Sequence, residues 1–174
     1  MKKLNPIFLL IIICIQLGCN QEHKKADMDT DIAEIMALYD TYFEGVNTGD
    51  LDLFMTVWAD NGIRSEPGMP EIIGKENVRA RFRELMTPYD HTITIIGDIK
   101  VETCENLAFG YCTVQVRSIP KEGGSEVVQE IKATTIFKKQ SDGSWKIRFD
   151  CVNYQPAWGG DSIPDALKEV NPYY

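Results

Sequence analysis

Residues 127–153 read VVQEIKATTIFKKQSDGSWKIRFDCVN. Two β-rich runs flank Ser141-Asp142-Gly143, which fits a three-residue hairpin loop with glycine in the left-handed position. With Gln140 paired to Ser144, Phe137, Thr135 and Ala133 stand opposite Ile147, Phe149 and Cys151 on one face. Lys138, Thr134 and Lys132 then stand opposite Lys146, Asp150 and Val152 on the other. One face is apolar and the other mostly polar, which supports this register, because a slip of one residue would exchange the faces.

Working outward, Leu107 to Ser118 and His91 to Cys104 are two further β-rich runs joined by a turn at Glu105-Asn106. Gly97 interrupts the first of them, where a bulge lets it bend. Together with Val127 to Lys139 and the last run, they make a four-stranded antiparallel meander. The chain before Pro88 reads as helix. From Asp31 to Asn47, Ile32, Ile35, Met36, Tyr39, Tyr42, Phe43 and Val46 form a one-sided stripe. Asp31 and Glu34 resemble a capping box, and Asn47-Thr48-Gly49 is a stop. A second helix starts at Asp50 and buries Leu51, Phe54 and Trp58. After a turn at Asp60-Asn61-Gly62, Ile63 to Glu66 forms a short strand ended by Pro67-Gly68. Lys75 to Thr87 is the third helix, with Val78, Phe82, Leu85 and Met86 inward. Three helices followed by strands predict an α+β fold, with the helices on one side of a curved sheet.

The 174 residues suit one domain, and 44% hydrophobic with 25% charged is an ordinary globular composition. With 18 Lys+Arg against 26 Asp+Glu the formal net charge is −8. An acidic chain without a basic patch excludes nucleic acid as an expected partner. Residues 1–18 differ from the rest: Lys2 and Lys3, then the apolar run Ile7 to Ile15. At ~1.5 Å per residue that run is about half of a ~30 Å hydrocarbon core, so it reads as a signal peptide. Gly18 directly before Cys19 resembles the lipobox of bacterial lipoproteins, in which the cysteine is lipidated after cleavage. An ordinary secretory signal is the other reading. On the lipoprotein reading, residues 1–18 are the signal peptide, 19–28 a tether, 29–155 the domain and 156–174 a C-terminal tail. Export is to the bacterial cell envelope, with the lipid as the only membrane contact. Losing Lys2 and Lys3 and no acids takes the mature chain from −8 to −10.

Cys104, Cys112 and Cys151 remain in the mature chain. Cys112 and Cys151 lie on strands separated by a third, nearly 10 Å apart at ~4.8 Å per strand, too far for a disulfide. Without a CxxC spacing, and with only His23 and His91, no metal site is expected.

The succession Asn47-Thr48-Gly49-Asp50-Leu51-Asp52, Trp58-Ala59-Asp60-Asn61-Gly62, Glu66-Pro67-Gly68, Gly74-Lys75-Glu76 and Asp142-Gly143-Ser144-Trp145 resembles the SnoaL-like branch of the nuclear transport factor 2-like superfamily. The resemblance covers roughly Asp29 to Gln155. It implies a cone-shaped α+β barrel, three helices wrapped by a strongly bent, mainly antiparallel sheet around one pocket, commonly paired as a homodimer through the outer sheet face. The superfamily holds isomerases, dehydratases, cyclases, hydrolases and pockets without known chemistry, so fold does not give function.

Aligned with ketosteroid isomerase of that superfamily, the helix-one tyrosine falls on Tyr42 and the base, an acid before proline, on Glu66. Proton transfer beside a carbonyl needs a carboxylate base and a donor for the enolate oxygen. Glu66 and Tyr42 are therefore the candidate catalytic pair. That enzyme's second donor, an aspartate, corresponds to Thr135, a departure that argues against steroid isomerisation. Arg64 shares the face of Glu66 and is expected to pair with it. The other candidate ligand contacts are Trp58, His91, Tyr111, Thr135, Phe149 and Asn153. Each has a plainer reading: Tyr42 and Trp58 as core, His91 as a solvated strand end, Glu66 as a strand end before a turn. No cofactor is implied. Three functions follow: a binding module for a small, mostly apolar ligand; a cofactor-free acid/base enzyme of isomerase, cyclase or dehydratase type; and a scaffold or accessory subunit.

Overall fold

The structure is a computed structural model and describes residues 28–155. The expected signal peptide, the expected lipidation site Cys19, the expected tether up to residue 27 and the tail from 156 lie outside the described residues.

Helix α1 occupies residues 28–48 and buries Ile35, Tyr39 and Val46 along its stripe. It runs through Asp31, so the expected capping box is not its start. Instead the Asp31 carboxylate accepts from Lys139 Nζ at 2.6 Å and Trp145 Nε1 at 3.0 Å, tying the helix to the sheet. Burial works against that carboxylate's charge, but the lysine and indole bonds outweigh it and lower its pKa. Gly49 ends the helix at φ 70°, as the sequence implies. Asp50 caps α2 (Leu51–Met55) by accepting the Leu53 N–H at 2.9 Å.

Trp58 is not on that helix. It opens β1 (Trp58–Ser65), which runs through Asp60-Asn61-Gly62 where the sequence predicts a turn. The turn signal is absorbed by a bulge, a register shift between Trp58 and Ile63 against the neighbouring strand. Gly62 serves it: its carbonyl accepts the Gly74 N–H at 2.7 Å, and a Cβ there would meet the Trp58 ring at 2.9 Å. A two-residue β2 (Ile72–Ile73), absent from the sequence reading, pairs with β1 before α3 (Lys75–Met86).

The meander follows as β3 (Tyr89–Cys104), β4 (Leu107–Pro120), β5 (Val127–Lys139) and β6 (Trp145–Gln155). The sheet order is β2-β1-β6-β5-β4-β3, antiparallel except where β1 runs parallel to β6. The helices pack on one face of this curved sheet. Gly97, at φ 76°, sits in the expected interruption of β3, and Asn47 clamps that edge strand by accepting the Ile93 N–H at 2.6 Å and donating to its carbonyl at 3.3 Å. Phe54, fully buried, joins the helices to the sheet, with ring centroids 4.1 Å from Phe82 and 4.7 Å from Tyr42. Burying such a ring stabilises the fold by about 1.5–3 kcal/mol.

The hairpin forms as read: the Gln140 N–H donates to Ser144 O at 2.8 Å and Gly143 takes φ 88°. The register does not continue as read. Phe137 faces Ile147, but the next pair is Ile136 with Phe149, so Arg148 is an extra residue on β6. Beyond it Thr135 faces Asp150, Thr134 faces Cys151 and Lys132 faces Asn153. The bulge reverses the in/out assignment of everything C-terminal to it on β6.

Candidate ligand pocket

Between α1, α3 and the concave face of the sheet lies a cavity of about 140 Å³. Its walls are apolar, with Phe43 and Val46 from α1, Leu85 and Met86 from α3, and Ile93, Val114, Ile131 and Val152 from the sheet. At one end the polar groups gather. β1 and β6 are paired so that Arg64 lies directly beside Asp150. Arg64 Nη1 bonds Asp150 Oδ2, and Arg64 Nε donates to Glu66 Oε1 at 3.2 Å. The other Glu66 oxygen accepts Nε and Nη2 of Arg81, at 3.1 and 2.8 Å. Thr135 Oγ1 donates to Asp150 Oδ1 at 3.0 Å. The side chains of Arg64, Glu66 and Asp150 are 7%, 2% and 4% exposed, so this is a buried network of two arginines and two carboxylates. Burial disfavours the Arg64 charge, but Asp150, Tyr42 and Glu66 more than offset it and raise its pKa, fixing it as a cation.

Three tyrosines and a cysteine on the cavity are held neutral. Desolvation raises the pKa of Tyr39, Tyr42 and Tyr154, and pushes the Cys112 thiol up to about 11 with help from Asp150. His91 is engaged at both ring nitrogens, Nε2 against the Leu85 carbonyl at 3.0 Å and Nδ1 against Ser118 Oγ at 2.8 Å. A carbonyl only accepts, so Nε2 carries the proton and, in the neutral ring, Nδ1 accepts from the serine. The histidine thus ties α3 to β3 and β4 at the cavity rim rather than standing free as a base.

The structure brings together Tyr42, Glu66, Arg64, His91 and Thr135 from the sequence-derived candidates. Trp58 is core, buried behind Phe54 and Phe82 and off the cavity wall. Tyr111, Phe149 and Asn153 were expected inward and are not. Tyr111 is 47% exposed on the outer sheet face; the bulge at Arg148 puts Phe149 beside Ile136 and Asn153 beside Lys132 on that same face. Cys151 goes outward with them, while Cys112 faces the cavity, and both are free thiols. Asp150, Arg81 and Tyr39 are the polar groups that the sequence reading missed. Asp150 is hidden by the bulge. Arg81 was legible: three residues after the inward Val78 on α3, it flanks the helix's inward stripe and reaches Glu66.

Fold and pocket define a helix-wrapped curved sheet enclosing one cavity. Residues 29–149 match the model of the SnoaL-like domain, and the chain belongs to that family. No curated protein matches it significantly. A candidate dehydratase of the NTF2-like family from Streptomyces avermitilis is similar in structure, with TM-score 0.64 at 23% identity over 74% of this chain and 99% of its own. A ketosteroid isomerase-like protein from Erwinia carotovora atroseptica superposes with TM-score 0.62 at 20% identity, covering 72% of this chain and 96% of its own. A nuclear transport factor 2-like superfamily protein from Salmonella enterica gives TM-score 0.68 at 13% identity, covering 77% and 97%. At these identities the likeness is one of fold.

Proposed function

We propose that the domain binds one small, mostly apolar ligand in this cavity. The observation that carries the reading is an apolar-walled cavity whose buried ionic end is already paired within the protein. Such a site supplies hydrophobic burial and a few convergent polar groups, the usual composition of a small-molecule pocket. The test is titration of the full chain with the neutral apolar dye Nile red, followed by fluorescence. Saturable binding of one dye per chain is expected, and Ala133→Phe, which fills the cavity from β5, should abolish it. No saturable binding, or binding indifferent to that substitution, would remove this reading.

The alternative is a cofactor-free acid/base enzyme with Glu66 as base and Tyr42 as donor. Both residues do reach the cavity. Glu66, however, already accepts three N–H groups from two arginines, so it would have to leave Arg81 before it could take a proton from carbon. A third role, as scaffold or accessory subunit, would use the sheet's outer face. That face carries Phe109, Tyr111 and Ile136, exposed at 41%, 47% and 36%, beside Phe149. In our reading a second copy of the chain covers this patch, making a homodimer; sedimentation should show the dimer lost in Tyr111→Arg. The lipobox-like Gly18-Cys19 supports export and lipid anchoring to the cell envelope. Incorporation of labelled palmitate, lost in Cys19→Ser, tests it.

A further inference from the structure

The geometry points to a separate chemistry at the cavity rim: Ser118 is a nucleophile for carboxylic esters of apolar acids, with His91 as its base. This goes beyond the ligand-binding reading and takes from it only the cavity that receives the acyl group. The pair is also apart from the ionic network, since Arg64 and Asp150 lie on β1 and β6, whereas His91 and Ser118 lie on β3 and β4, across β5.

The sheet register sets the pair up. His91 stands directly opposite Ser118 in the antiparallel β3–β4 ladder, and both side chains line the cavity. The imidazole's Nε2–H donates to the Leu85 carbonyl at 3.0 Å, which fixes the tautomer and leaves the Nδ1 lone pair facing the serine. Ser118 Oγ donates its proton to that lone pair at 2.8 Å. A hydroxyl, a base within hydrogen-bond reach of it, and a third group that orients the base are the arrangement that activates a serine. Here a backbone carbonyl takes the orienting place. The two bonds that keep His91 from acting on a ligand directly thus aim it at Ser118. Three elements hold the arrangement in place: Leu85 comes from the last turn of α3, Lys121 Nζ ties β4 to that turn through the Met86 carbonyl at 2.9 Å, and the Tyr89 ring lies 5.9 Å from the imidazole.

The surroundings suit an ester. His91 and Ser118 are half-buried, so water reaches them, while Leu85, Met86, Ile93 and Val116 give the neighbouring wall an apolar surface for an acyl chain. On β5, Val127 pairs with Ser118 and Gln129 with Val116, so Gln129 is the diagonal neighbour of the serine, and it too lines the cavity. A side chain of that length reaches across such a diagonal, which makes its amide the candidate donor to the oxyanion. In the reaction, Ser118 Oγ attacks the ester carbonyl carbon and its proton passes to Nδ1. The adduct expels the alcohol oxygen, which takes that proton. Water then attacks the acyl-serine, giving a proton to Nδ1 that returns to Oγ as the acid leaves. Ester and water become acid and alcohol, with no other reactant.

The experiment treats the full chain with a hexyl fluorophosphonate, which loses fluoride to an activated serine, and locates the adduct by peptide mass spectrometry. Turnover of p-nitrophenyl hexanoate is followed in parallel. The adduct should fall on Ser118, and turnover should saturate with ester concentration. Ser118→Ala and His91→Gln should each lower turnover about a hundredfold or more. The hexanoate should exceed the acetate in kcat/KM by about tenfold or more, because its extra methylenes enter the apolar wall. If either variant fails to fold, the adduct on the unmodified chain decides. No adduct on Ser118, or turnover that survives both substitutions, would overturn the assignment; equal rates for acetate and hexanoate would overturn the placement of the acyl group. If Nile red binds and Ser118 stays unlabelled, this inference falls and the pocket reading stands. If Ser118 is labelled and Nile red does not bind, the pocket reading falls alone; if both fail, both fall.

Discussion

Replacing Arg64 with methionine tests whether the four buried charges act as one unit. Methionine keeps an unbranched apolar stem of similar length, so the change is mainly electrostatic. In Arg64→Met, Glu66 retains Arg81, but Asp150 keeps only the Thr135 hydroxyl, in a position where its side chain is 4% exposed. Leaving one member of a buried pair without its counter-charge costs about 3–5 kcal/mol. Asp150→Asn alone keeps one acceptor oxygen, for Arg64, with the amide N–H left to donate to the Thr135 hydroxyl, but leaves two arginines sharing one carboxylate, for about 1–3 kcal/mol. The double substitution leaves Glu66 and Arg81 as a balanced pair, so it should be less destabilised than the sum of the singles, by about 2–3 kcal/mol. Urea unfolding of the four proteins at pH 7 measures this cycle. The pH dependence adds a sign. In Arg64→Met the buried, unpaired Asp150 carboxyl takes up protons more readily than in the unfolded chain. The native state then binds more protons, and the variant's deficit should shrink as pH falls from 8 toward 5. Additivity within about 0.5 kcal/mol, or a deficit that does not change with pH, would refute the idea of one coupled network.

Two further tests probe the packing around Tyr39 and the burial of Cys112, both of which line the cavity. A Cβ at Gly110 would lie 2.4 Å from the Tyr39 hydroxyl oxygen and 3.2 Å from the Phe137 ring, so Gly110→Ala should destabilise the fold by about 1–3 kcal/mol. Adding Tyr39→Phe removes the nearest atom and should restore part of the loss in the same unfolding assay. Thiol reactivity separates the cysteines: Cys104 is exposed, whereas Cys112 is buried with its pKa pushed up to about 11. At pH 8 only about one in a thousand Cys112 groups is thiolate, so iodoacetamide should label Cys104 at least tenfold faster, read by peptide mass spectrometry. For Cys112, labelling should accelerate as pH rises toward 11; a flat profile or equal rates would contradict its placement.

Most of the architecture was legible because it follows from periodicity. The α1 stripe, the inward side of α3, the Gly97 interruption and the Ser141-Asp142-Gly143 loop each satisfy a local rule, and the local rule agrees with the tertiary packing. The failures are places where a local signal was outweighed. Asp60-Asn61-Gly62 has turn chemistry, yet pairing of β1 with β6 and contact of Gly62 with Trp58 hold it within a strand. Asp31 has capping chemistry, yet α1 runs past it, and its carboxylate is used by Lys139 and Trp145 instead. Strand β2, at two residues, is too short to leave a periodic signature at all.

The candidate site was less legible than the fold, and one residue accounts for much of the difference. Alternation along β6 from Ile147 without interruption would send Phe149, Cys151 and Asn153 inward and Asp150 out. The extra residue at Arg148 inverts that outcome: Asp150, Val152 and Tyr154 face the cavity, and Phe149 joins Ile136 on the outer face. The bulge therefore does two things at once. It delivers a carboxylate to Arg64 and Thr135, balancing a cation that would otherwise stand buried beside Glu66 alone, and it supplies an aromatic ring to the outer patch. Nothing in the sequence of β6 announces it, since KIRFDCV alternates acceptably in either register on one side of the break. The signal that was available lies on β1. Arg64 and Glu66 occupy one face of a strand, two residues apart, with Arg81 arriving from α3, so a buried site there needs a second acid. A charge count over the inward face, made before the register was fixed, would have asked for Asp150 and located the bulge that brings it in.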